Sequence, residues 1–135
     1  MSHVHDPVER FLTSPAYGVV GASPRRHKYG NKVLRCYQQA GRRATPVNPR
    51  EAQIEGVACA ASVLDLPGDV KSISVITPPA VTERVVEEAI RKGIEHVWMQ
   101  PGAESERAVA ACEAAGINVI ADGSCVLVVL GYRER

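Results

Sequence analysis

The sequence predicts an α/β fold, a single domain over residues 1–135 built as a doubly wound parallel sheet of about five strands with helices on both faces. Short apolar segments alternate with longer segments of helical spacing. The longer helical segments each run into a glycine (Gly41, Gly93 or Gly116) before the next strand. The strands are apolar nearly throughout, as burial on both faces requires. Strand–helix–strand units of this kind cross over with right-handed geometry.

The elements follow in order. Asp6-Pro7-Val8-Glu9 reads as a helix start, with Asp6 as cap, Pro7 in the first turn and Glu9 at the capping-box position. Val8, Phe11 and Leu12 share one face, and Ser14-Pro15 ends this helical extension of residues 1–16. Residues 17–21 form a small-residue buried strand. Tyr29 to Ala40 is a helix carried by Val33, Leu34, Tyr37 and Ala40, and Ala44 to Val47 is a second strand stopped by Asn48-Pro49. Residues 51–71 are mixed, with one helical turn at Ser62 to Leu66. Ile73 to Ile76 is the third strand. Val81 to Lys92 is a helix with Val81, Val85, Ala89 and Ile90 inward, His96 to Met99 the fourth strand, and Glu104 to Ala115 a helix acidic at its start, as its dipole favours. Ile117 to Ile120 is the fifth strand. Val126 to Leu130 is apolar and either adds a sixth strand or packs on the core.

Bulk properties exclude several classes of function. The chain has 135 residues and a formal net charge of +1, so no global field attracts nucleic acid or a membrane surface. No apolar run reaches the roughly 18 residues of a membrane span, and residues 1–15 lack the apolar core of a secretory signal. Cys36, Cys59, Cys112 and Cys125 form no C-x-x-C pair and read as reduced thiols of a cytoplasmic protein. The pair His3 and His5 reads as a solvated tail, so no metal site is expected, and His96 as a structural residue.

In an open parallel sheet, ligands bind beyond the carboxyl ends of the strands. The loops so placed are Gly21 to Tyr29, Asn48 to Glu51, Thr77 to Ala80, Gln100 to Ala103 and Asp122 to Cys125. The first begins like a G-x-G-x-x-G fingerprint, but the next two glycines do not follow in that spacing. Gly21 permits close backbone approach, Ala22 and Ser23 offer N–H groups and a hydroxyl, and Arg25 and Arg26 add positive charge with His27 and Lys28. Backbone donors and arginine suit a pyrophosphate. After the second strand, Asn48-Pro49-Arg50 sets an arginine where an NAD site carries an acid. That favours a ribose bearing a phosphate, as in NADP or coenzyme A. Thr77-Pro78-Pro79 withholds two backbone donors and offers an apolar face suited to adenine or a thin aliphatic arm. It also suits helix initiation, with Thr77 as cap.

Taken together, Val19-Val20-Gly21-Ala22-Ser23, Pro46-Val47-Asn48-Pro49, Thr77-Pro78-Pro79 and Trp98-Met99-Gln100-Pro101-Gly102 resemble the small stand-alone CoA-binding proteins of bacteria and archaea. These in turn are similar to the CoA-binding domain of the succinyl-CoA synthetase alpha subunit. The resemblance runs over residues 15–125 and implies a Rossmann-like fold that binds coenzyme A. It puts the first loop on the phosphates, Asn48-Pro49-Arg50 near the adenosine, and Thr77-Pro78-Pro79 along the ligand, with Gln100 and Gly102 in the fourth loop. It also implies that Cys125, near a position where the family often has a cysteine, faces the ligand thiol; an idle cysteine is the simpler account. The synthetase's phosphohistidine domain has no counterpart here, so ligase chemistry is not carried over. The function expected is therefore binding of coenzyme A or a short acyl-CoA without a catalytic centre, with presentation to a protein partner or self-association through Val126 to Leu130 as further options. The competing expectation is an NADP-dependent oxidoreductase or its cofactor domain.

Overall fold

The structure, a computed structural model, describes residues 6–134; His3 and His5 lie outside them. The main sheet has five parallel strands: β1 (Tyr17–Val20), β2 (Ala44–Val47), β5 (Ser72–Val75), β6 (His96–Met99) and β7 (Asn118–Ile120). Their spatial order is β2-β1-β5-β6-β7, with Tyr17 in register between Ala44 and Ser72. The chain therefore winds outward in one direction to β2 and then in the other through β5, β6 and β7. The switch point lies between β1 and β5.

Because successive strand residues face opposite sides, each strand contributes to two cores. Tyr17, Val19, Trp98 and Ile120 pack with Phe11 of α1 (Pro7–Leu12) and with Val33, Leu34 and Tyr37 of α2 (Tyr29–Gln39). On the opposite face, Val20, Ile73, Val75, Val97 and Met99 pack with Val85, Val86 and Ala89 of α3 (Pro79–Lys92) and with Ala108 and Cys112 of α4 (Glu106–Ala114). The first core is aromatic: Tyr17 stacks on Tyr37 at 4.7 Å, and Phe11 meets Trp98 edge-on at 5.3 Å. Ser72 and Ser74 turn toward this core and are satisfied there, by Ser14 and by the Tyr37 hydroxyl respectively.

The doubly wound sheet and the glycine stops are as the sequence predicts. Gly41, Gly93 and Gly116 all have positive φ, at 70°, 86° and 74°. Asp6 caps α1, accepting from the Val8 N–H at 2.9 Å. His96 is structural: its ring meets Phe11 edge-on and its Nδ1 pairs with the Asn118 amide at 2.9 Å.

Of the two options for Val126 to Leu130, packing on the core is the one observed: Val126–Val129 is a short helix, α5, with Val126 buried in the aromatic core and Val128 79% exposed. Three expectations are corrected or extended. Ile90 does not point inward and is 40% exposed, whereas Val86, one turn earlier, is fully buried. Helix α3 begins at Pro79 rather than Val81, and Pro78, not Thr77, holds the cap position. Proline at N1 costs nothing there, because that N–H has no helical partner. Finally, residues 51–71 contain an antiparallel hairpin, β3 (Gln53–Ile54) with β4 (Val57–Ala58), before a 3-10 turn at Val63–Asp65. Segment 58–60 then runs along the outer side of β2, where the Ala60 N–H donates to the Pro46 carbonyl and the Asn48 N–H to the Ala60 carbonyl.

Candidate functional site

The loops at the carboxyl ends of the strands are joined to one another. Gly21 leaves β1 with φ +98°, and a Cβ there would lie 2.1 Å from the Ile76 carbonyl oxygen at the end of β5. Glycine is thus imposed at the switch point both by conformation and by space. A Cβ on Gly30, in the first turn of α2, would lie 2.0 Å from the Gly21 carbonyl oxygen. The close helix–strand packing assigned to the last glycine of the fingerprint is therefore supplied by Gly30, across a longer loop.

Side chains fix the rest of the first loop. Buried Asn31 donates from Nδ2 to the Ser23 carbonyl at 2.8 Å and to Glu55 Oε2 at 3.0 Å. Its Oδ1 accepts from Arg35 Nε at 2.7 Å, and Arg35 Nη2 donates to the Arg26 carbonyl at 2.7 Å. Ser23 Oγ accepts the Arg25 N–H at 3.1 Å, closing a small turn. The second loop is tied to the first through Asn48, whose amide donates to the Ala22 carbonyl at 3.0 Å. Asn48 Oδ1 accepts the N–H groups of Arg50 and Glu51 at 2.7 and 3.1 Å. Asn48 is thus a joint between loops, and Pro49 and Arg50 stand exposed beyond it.

The third and fourth loops enclose a cleft of about 300 Å³, lined by Ile76, Thr77, Pro78, Pro101, Gly102 and Ala103. The Thr77 hydroxyl pairs with that of buried Thr82 at 2.7 Å. Pro79 is exposed beside the cleft as the first residue of α3. Gln100 is buried at the end of β6. Its Oε1 accepts the Tyr29 hydroxyl at 3.1 Å and the Val126 N–H at 2.9 Å. Tyr29 also meets Cys125 Sγ, at 2.8 Å. Burial, then the adjoining Cys125, raises the Tyr29 hydroxyl pKa, so it stays protonated and available as a donor.

Thus Gly21, Ala22, Ser23, Asn48 and Thr77 form a connected edge, and Thr77, Pro78 and Gly102 share one cleft. The arginines do not converge on that cleft. Arg25 and Arg50 are exposed, while Arg26 pairs with Glu55 at 3.3 Å in a separate hollow of about 290 Å³ that it lines with Arg35, Gln38, Gln39 and Glu55. Sequence reasoning missed Tyr29, Gly30, Asn31, Arg35 and Glu55. Gly30 carried a signal: glycine in a helix costs about 1 kcal/mol against alanine, and its presence marks a packing demand.

A model of the CoA binding domain matches residues 16–130, which include every loop described above. The chain belongs to the CoA binding domain family. It is 32% identical over 88 residues to the ADP-forming acetate–CoA ligase I of Archaeoglobus fulgidus, a match covering 65% of this chain and 13% of that enzyme. It is 28% identical over 87 residues to the corresponding ligase of Methanocaldococcus jannaschii, covering 64% of this chain and 12% of the enzyme. The chain therefore aligns with about an eighth of these curated relatives. Among solved structures, a conserved hypothetical protein from Pyrococcus furiosus superposes with a TM-score of 0.80 at 40% identity, covering 86% of this chain and 98% of that one. An acetyl-coenzyme A synthetase of Candidatus Korarchaeum cryptofilum superposes with a TM-score of 0.75 at 26% identity, covering 86% of this chain and 27% of that one. Among the described residues, no helix is long and apolar enough to cross a membrane.

Proposed function

We propose that this protein binds coenzyme A, or a short acyl-CoA, as a cytoplasmic binding module without a catalytic centre of its own. The single observation that carries the reading is the Cβ-free edge at the switch point, where Gly21 packs against Ile76 and Gly30 against Gly21. Those contacts draw the N-terminus of α2 close against the end of β1, the place where a pyrophosphate meets main-chain N–H groups in this topology. Helix α2 starts beside this edge with neither a side-chain cap nor an acid in its first turn, which leaves its positive end open to an anion. Residues Gly21, Ala22 and Ser23, with Arg25, then hold the pyrophosphate, and Arg50, set by the Asx turn of Asn48 and Pro49, takes the 3′-phosphate. Thr77, Pro78, Pro79, Gln100 and Gly102 flank the pantetheine arm. The family membership supports the ligand class.

Isothermal titration calorimetry with coenzyme A, dephospho-CoA and NADP tests the proposal. Tighter binding of coenzyme A than of the other two is expected, and no binding of coenzyme A overturns it. NADP is the second reading because Arg50 stands exposed at a strand end that carries no acid in NAD-site position; preferential NADP binding would establish it instead.

A further inference from the structure

Resting on the coenzyme A reading, we propose that the Gln100 side-chain amide is a ligand donor. It clusters with Tyr29 and Cys125 behind the strand ends, and its Nε2 receives a carbonyl oxygen of the ligand's arm. Gln100 is fully buried, and its Nε2 has no hydrogen-bond partner among the described residues. Rotating the amide does not cure this. The Val126 N–H, 2.9 Å from Oε1, can only donate, so a flipped amide would set N–H against N–H. Tyr29 holds the same oxygen from the other side at 3.1 Å. The orientation is therefore fixed, and the orphan donor is a property of the fold.

A buried donor without an acceptor is costly, and such groups in native proteins have an explanation. Gln100 directly follows β6, in the row of strand ends where ligands of this topology lie, and the next three residues line the 300 Å³ cleft. Tyr29 and Cys125 are both partly exposed, so the cluster reaches solvent. An amide N–H repels cations and attracts lone pairs, so the missing partner is an acceptor. Coenzyme A offers carbonyl oxygens in its pantetheine amides, and an acyl-CoA offers one more at the thioester. Either source supplies the chemistry that Nε2 lacks.

The experiment measures affinities of adenosine 3′,5′-bisphosphate, coenzyme A and acetyl-CoA for the wild type, Gln100→Glu and Gln100→Met. Gln100→Glu keeps an oxygen for Tyr29 and Val126 while removing the donor. If an arm amide is the partner, both variants lose about tenfold in affinity for coenzyme A and acetyl-CoA and none for the bisphosphate, which lacks a carbonyl. If the thioester is the partner, only acetyl-CoA weakens. Unchanged affinities for all three, as when an ordered water satisfies Nε2, overturn the inference. So does a uniform loss that includes the bisphosphate. A wild type that binds none of the three defeats the coenzyme A reading itself, a result distinct from those.

Discussion

Gly30 rests on Gly21: the hydrogen of one glycine occupies the place where a Cβ would stand 2.0 Å from the carbonyl oxygen of the other. Helix α2 and strand β1 are thereby brought together at the switch point, at a distance that no residue with a side chain permits. The obstacle is backbone, itself held by the Ile76 N–H donating to the Val20 carbonyl at 2.8 Å, so neither side can yield cheaply.

Gly30→Ala is therefore expected to destabilise the fold by about 2–3 kcal/mol, the upper range of overpacking costs, although alanine is the better helix former. Urea denaturation would register this as a lower midpoint at unchanged slope. An unaffected or raised midpoint would mean that the loop relaxes freely and that the packing imposes no glycine.

Arg50→Ala should weaken coenzyme A by about tenfold and leave dephospho-CoA alone, since only the former carries the phosphate assigned to this guanidinium. Equal losses for both ligands in calorimetry would remove that assignment.

Arg35 is buried inside α2 yet reaches the Arg26 carbonyl, the Asn31 side chain and, at 3.2 Å, Glu134. Arg35→Met leaves the buried Asn31 Oδ1 and the part-buried Arg26 carbonyl without their donor and should cost about 1–3 kcal/mol. Hydrogen exchange locates the effect: amides of residues 23–28 should lose protection while those of β5 and β6 keep theirs, because the loss is local. Uniform loss across the sheet would show that Arg35 supports the whole fold instead.

Burial lowers the His96 pKa below its ordinary value, Arg10 lowers it further, and Glu95 opposes the shift. The neutral ring also accepts the Asn118 amide, whose oxygen is held by Arg10 at 2.9 Å, so a protonated ring would meet a donor that cannot readily turn. The unfolded chain then binds the proton more readily than the folded one, and stability rises with pH. Thermal midpoints should be level above about pH 7 and fall as pH drops through the unfolded histidine value near 6.5 toward the lower folded one. The slope should be reduced in His96→Gln; an undiminished slope would assign it to other groups.

The sheet was legible because burial on both faces leaves a direct mark on composition: Val19-Val20, Ile73 to Val75 and Val97 to Met99 read as strands on sight. The β3–β4 hairpin was not legible. Each of its strands has only two residues, too few for alternation to register, and its turn uses Glu55 at φ 49°, an uncommon state for a residue with a side chain. That unusual turn presents Glu55 to Asn31 and Arg26, and so the same obscurity hid part of the site. Ile90 was misjudged because helical spacing marks a face broader than the strip that touches the sheet. Among the loops, Gly21, Ser23 and Thr77 followed from topology, since their place is fixed by where strands end. Asn31 and Arg35 did not, because what ties them to the first loop is the main-chain carbonyls of Ser23 and Arg26, which leave no trace in the order of residues.

The run of residues 58–60 alongside β2 bears on how the molecule behaves in a crowd. Pro46 brings no N–H to that margin, and its carbonyl is already engaged by Ala60. A second chain seeking to extend the sheet there would find its docking groups spoken for. At the opposite margin β7 has only three residues, a brief foothold for runaway polymerisation, so both borders of the sheet discourage fibre growth.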